Sequence, residues 1–104
     1  MVCAAILAAI TTAAGLRHAV WEGVHDGESF CVTGTVACVF ETDRNCAFFD
    51  ETGHCYAWLR GDVSVAAGTV AELSGRIAID GRNWQKAYVD KAVELRPGEV
   101  PPSA

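Results

Sequence analysis

The stretch AFFDETGHCYAW, residues 47–58, decides how this chain folds. At its centre Asp50-Glu51-Thr52-Gly53 is a turn sequence: Asp and Thr side chains bond to nearby backbone, and Gly enters positive φ without a Cβ clash. On either side, residues 46–50 and 54–59 alternate with a period of two, the pattern of strands. Two short strands joined this closely form an antiparallel hairpin. Cys46, Phe48, Cys55, Ala57 and Leu59 make the more uniformly apolar face and are expected to fill a core. Phe49, Tyr56 and Trp58 then share the outer face.

Outward from the hairpin the same period continues. Upstream, FCVTGTVACVF (residues 30–40) places Phe30, Val32, Gly34, Val36 and Cys38 on one side of a long strand. Gly34 in its middle suggests a bulge or a sharp bend. Residues 41–45 form a polar loop. Downstream, residues 60–68 connect to TVAELSGRIAI (residues 69–79), a fourth strand with Ala71, Leu73, Gly75, Ile77 and Ile79 in one phase. Asp80-Gly81-Arg82-Asn83 signals a second hairpin turn. WQKAYVDKAVEL (residues 84–95) is the fifth strand, and its alternation slips near Lys91-Ala92 as at a bulge. Five strands, two of them long and glycine-bent, predict an all-β fold: a five-stranded OB-type Greek-key barrel. Its core is expected to contain Val32, Val36, Phe48, Leu73 and Ile77.

An N-terminal segment, residues 1–24, is expected to pack on this barrel. Thr11 or Thr12 caps a helix running through Leu16, Val20 and Trp21, and Gly23 ends it. His18 falls on its solvated face. Residues 28–96 form the barrel. The tail RPGEVPPSA holds three prolines and a glycine, so residues 97–104 read as a linker.

The 104 residues fit one domain, and 51% hydrophobic with 20% charged residues is a globular composition. The formal net charge of -5 argues against avid, non-specific nucleic-acid binding, which depends on neutralising phosphates. No pair among the five cysteines has CxxC spacing, so no zinc ligand set is read. Cys38, Cys46 and Cys55 fall in the inward phase and are expected to be reduced and buried, with one bridge between neighbouring strands as the alternative. No apolar run reaches the roughly 18 residues of a membrane span. MVCAAILAAITTAAG lacks a basic leading region, and reads either as the trimmed end of a signal or linker or as the start of a helix. His54 and Cys55 are neighbours on one strand, so they point to opposite faces and make a poor Cys-His pair. With no Gly-rich phosphate loop and no nucleophile elbow, the expectation is a protein without catalytic residues, metal or cofactor.

Phe30-Cys31-Val32-Thr33-Gly34-Thr35-Val36 resembles the opening strand of OB-fold domains of the tRNA-anticodon-binding type. Phe48-Phe49-Asp50-Glu51-Thr52-Gly53 resembles their F-x-D-x-T-G strand and turn, and Leu73-Ser74-Gly75-Arg76-Ile77 their fourth strand. Over roughly residues 11–102 the chain is still more similar to OB-like modules in the sensory regions of bacterial histidine kinases. These motifs mark the fold better than any one function.

In OB-folds the outer face of strands two and three is the usual ligand platform. The resemblance therefore implies that Phe49, Tyr56 and Trp58 bind a ligand or protein partner by stacking. Arg44, Arg60 and Arg82 in the flanking loops, with Trp84 and Lys86 at the start of the fifth strand, complete the candidate site. Glu41, Asp43, Asp50, Glu51 and Asp80 offset much of that charge. The competing occupants of the face are the N-terminal helix, through Leu16, Val20 and Trp21, and a second copy in a homodimer. The first functional reading is a non-catalytic binding module of a bacterial sensory protein, which would place it outside the cytoplasm. The second is a single-stranded nucleic-acid-binding domain inside it. The third is a purely structural module.

Overall fold

The computed structural model describes residues 9–81 and 84–100. Residues 1–8 with Cys3, Arg82 with Asn83 at the second hairpin turn, and residues 101–104 of the tail lie outside the described residues. A helix, α1 (Ala13–Glu22), precedes five strands: β1 (Ser29–Phe40), β2 (Asn45–Asp50), β3 (Gly53–Leu59), β4 (Thr69–Ile79) and β5 (Gln85–Pro97). The strands close into a barrel in the order β1-β2-β3-β5-β4. An odd number of strands cannot close with every neighbour antiparallel. Among the barrel strands the parallel junction falls between β3 and β5, and it is short: only Trp58 with Tyr88 and Leu59 with Val89 pair.

β1 is long because it serves two neighbours. Its first part pairs with β4, from Ser29 opposite Arg76 to Thr35 opposite Val70. Its second part pairs with β2, from Thr35 opposite Phe49 to Phe40 opposite Asn45. Gly34 stands beside this change of partner, and a Cβ there would lie 2.7 Å from the Phe49 carbonyl oxygen. The glycine thus serves a close backbone approach. The register shift of β1 lies further on, between Val36 and Cys38, with Ala37 as the extra residue. This corrects the inward assignment of Cys38. Beyond the shift Val39 pairs with buried Cys46, while Cys38 pairs with Ala47 and is only half-buried.

In β5 the slip is at Asp90, since Ser74 pairs with Lys91 and Gly75 with Val89. A Cβ on Gly75 would lie 1.8 Å from the Tyr88 carbonyl oxygen, a distance no side chain tolerates. A second shift lies between Val70 and Ala71, and β5 runs on to Pro97, opposite Thr69, one residue into the proline-rich tail.

Val32, Val36, Phe48, Leu73 and Ile77 are all fully buried, as their phase predicts. Cys46, Cys55, Ala57 and Leu59 are buried beside them. In α1 the N-cap is Thr12, whose Oγ1 accepts from the Gly15 N–H at 3.0 Å, and Gly23 closes the helix with φ 75°. Ala13, Leu16 and Ala19 recur at helical spacing and are buried in the barrel core. Away from their two paired positions β3 and β5 leave a gap, and α1 packs chiefly against these two strands.

The acidic turn holds the helix there. Asp50 Oδ2 accepts from the Ala13 N–H at 2.9 Å, and Thr52 Oγ1 accepts from the Ala14 N–H at 3.0 Å. These are first-turn donors with no partner inside the helix. Asp50 Oδ1 accepts from the Thr52 N–H at 2.8 Å and from the Thr52 hydroxyl. Partial burial opposes ionisation of Asp50, but the Thr52 hydroxyl and the N–H groups of Ala13, Thr52 and Gly53 outweigh it and hold the carboxyl below its ordinary value.

Candidate functional site

Where α1, β3 and β5 meet, a mostly apolar groove of about 250 Å³ opens to solvent. The helix contributes Arg17, Val20 and Trp21. β3 contributes Cys55, Tyr56 and Trp58, the start of β5 contributes Gln85 and Lys86, and Trp84 stands just before it. Strand alternation puts Tyr56 and Trp58 on the outer face, because Cys55, Ala57 and Leu59 take the core. Trp21 is 88% exposed, Trp84 68% and Tyr56 52%, values unusual for rings that normally bury their area. Trp21 also borders two adjoining depressions. One is shared with Ala14, Arg17 and His18, the other with Val20, Gly23, Ile79, Trp84 and Gln85.

The helix leaves Tyr56 exposed and Trp58 half-buried, since Ala13, Leu16 and Ala19 enter the core and Trp21 stays in solvent. The groove is also charged. Lys86 Nζ stands 4.7 Å from the centre of the Trp58 ring and 3.1 Å from Asp80 Oδ2. One face of Trp58 is thus already occupied by a cation of the same chain. Arg17 Nη1 lies 3.4 Å from His54 Nε2, and among the described residues no carboxylate lies within ion-pair distance of Arg17.

Of the residues expected from the sequence, Tyr56, Trp58, Trp84 and Lys86 come together here. Phe49 does not. It lines a separate depression with Thr33, Gly34, Thr35, Asp50, Glu51, Val70 and Arg96, and Tyr56 neighbours Phe40 and His54 instead. Arg44 is committed to the scaffold. Its Nη2 donates to the Gly61 and Val63 carbonyls at 2.6 and 2.9 Å, which ties down the β3–β4 connection. Arg60 pairs with Asp90 at 3.4 Å and lies over the Tyr88 ring at 4.6 Å. Arg82 is outside the described residues. Sequence reasoning did not assign Arg17 or Trp21 to the site. The signal was their spacing of four on one helix, which stacks them on the same side.

The segment from α1 to β1 supports the groove wall. The His25 N–H donates to Gln85 Oε1 at 3.3 Å. The His25 ring meets a carboxylate at each nitrogen: Glu28 at Nδ1, 2.6 Å, and Glu22 at Nε2, 2.7 Å. Both nitrogens can donate only in the imidazolium form. The bonds to Glu22 and then Glu28 accordingly raise the His25 pKa, and the bond to His25 lowers that of Glu22.

His54 is exposed and Cys55 buried, so the two do face apart. Burial pushes the thiol of Cys55 up to about 11 and that of Cys46 up to about 12, which suppresses the nucleophilic thiolate. Among the described residues no group of three or more His, Cys, Asp or Glu is arranged to hold a metal, and no helix is long and apolar enough to cross a membrane. No protein-family model matches the chain, and no curated protein matches it significantly.

Proposed function

We propose that this chain is a non-catalytic binding module built on an OB-type barrel, with the α1–β3–β5 groove as its ligand site. The observation that carries this reading is the convergence of Trp21, Tyr56, Trp58 and Trp84 on one groove with Arg17 and Lys86. Exposed aromatic area on this scale is unfavourable unless something covers it. The OB assignment is supported by the strand order, by β1 shared between two neighbours and by the parallel β3–β5 closure. Membership of a bacterial sensory protein rests on the sequence likeness alone.

All three tryptophans of the chain line the groove, so its intrinsic emission reports on that site. Screening small aromatic compounds by tryptophan emission is the direct test. A saturable change that disappears in Trp84→Ala is the expected result. A panel that leaves the emission unchanged at millimolar concentration would remove the groove as a ligand site.

A further inference from the structure

Resting on the groove as a binding site, we propose that its ligand is a small planar aromatic carboxylate, stacked on the exposed indoles with its negative group on Arg17. Size gives the first argument. A volume of about 250 Å³ lies below the usual range for drug-sized ligands, about 300–1,000 Å³, and matches a guest of one or two fused rings.

The rings give the second. Lys86 occupies a face of Trp58, which leaves Trp21 and Trp84, the two most exposed indoles, as surfaces for a planar guest. Offset stacking on such rings is sequence-independent chemistry that any flat apolar body satisfies.

Charge gives the third. The chain carries -5 overall, yet among the described residues the charged side chains lining the groove are Arg17 and Lys86. Lys86 is neutralised by Asp80 at 3.1 Å. Arg17 has no carboxylate within ion-pair distance among the described residues, and its planar fork suits a carboxylate held by two parallel bonds. A cationic guest would meet the like charge of Arg17, and a neutral one would draw nothing from it.

The test compares naphthalene-2-carboxylate with its neutral isostere naphthalene-2-carboxamide, both titrated into the whole chain by amide chemical-shift perturbation. The carboxylate should bind about tenfold more tightly than the amide, the scale of one charge-assisted contact. Arg17→Gln should abolish that preference and leave the amide's affinity unchanged. Trp84→Ala should weaken both compounds. Each changed residue is exposed, so both variants should keep the parent's spectrum elsewhere. Equal binding of carboxylate and amide, both lost in Trp84→Ala, would overturn the ligand class while leaving the groove as a site. Absence of shifts around residues 17–21, 55–58 and 84–86 with either compound would overturn the groove itself. Concentration-dependent dimerisation abolished by Trp84→Ala would also overturn the proposal, by making a second copy the occupant.

Discussion

Phe48 has no exposed surface and stands opposite Val36 on β1 and Cys55 on β3. Removing its ring leaves a cavity that the neighbouring strands cannot close without losing register. Phe48→Ala should therefore destabilise the protein by about 3–5 kcal/mol. Against a typical total of about 5–15 kcal/mol, chemical denaturation would show a midpoint near the limit of a folded population. A variant that unfolds like the parent would mean that the ring is not in the core. The cysteines test the same interior differently. Cys31, Cys46 and Cys55 are free and buried, and burial raises all three thiol pKa values. Cys46 pairs with Ala57 and Cys55 with Phe48, which places the two cysteines on a diagonal. A thiol reagent followed by mass spectrometry should modify these three slowly in the native protein and fully after unfolding without reductant. Two thiols that stay unreactive after unfolding would reveal a disulfide and overturn this assignment.

The helix is held by side chains of a hairpin 37 and 38 residues away in sequence. Asp50→Ala removes an acceptor for the Ala13 N–H and for Thr52, and should cost about 1–2 kcal/mol, the scale of a lost helix cap. Glu51→Ala, at the exposed tip of the same turn, should stay within about 0.5 kcal/mol. Equal effects would show that Asp50 does not anchor α1. Both ends of the helix respond to pH. Asp50 and Glu22 have depressed pKa values, so their contributions are present above the ordinary values of 3.8 and 4.5 and fade as pH falls through the lower folded values. His25 has a raised pKa. Its contribution is full below the ordinary value of 6.5 and is lost as pH rises through the higher folded value. Together these groups favour the fold most between about pH 4.5 and 6.5. Thermal melts should give a Tm that declines from pH 6 to pH 8, and His25→Gln should flatten that decline. A slope unchanged by the substitution would remove His25 as its source.

At the scale of the whole molecule, the charge of -5 opposes polyanions even though the groove carries two cations. Phosphate contacts dominate single-strand binding and make it steeply dependent on salt. A ten-nucleotide thymidine strand should therefore change the tryptophan emission little at low salt, and not at all at physiological salt. Tight binding that weakens as salt rises would replace the small-ligand reading with nucleic-acid binding. The barrel also explains why the groove exists. Parity requires a parallel junction, that junction pairs at only two positions, and the helix packs on the remaining gap while Trp21, Tyr56 and Trp84 beside it stay exposed.

By itself the sequence determined what local periodicity and turn chemistry can specify. The alternation around Phe48, the Asp50–Gly53 turn, the five strands, a cap at Thr11 or Thr12 and the stop at Gly23 all depend on neighbours within a few residues. Only the tertiary structure decided where the alternation breaks and what the free faces share. Cys38 changes sides because β1 slips by one residue against β2, and a slip of one inverts every later side chain. Arg44 and Arg60 look like ligand-binding cations in the sequence, but the fold commits them to the Gly61 and Val63 carbonyls and to Asp90. The groove joins three segments that are distant in the chain, residues 17–21, 55–58 and 84–86. Their meeting depends on how the barrel closes between β3 and β5, which no local pattern encodes.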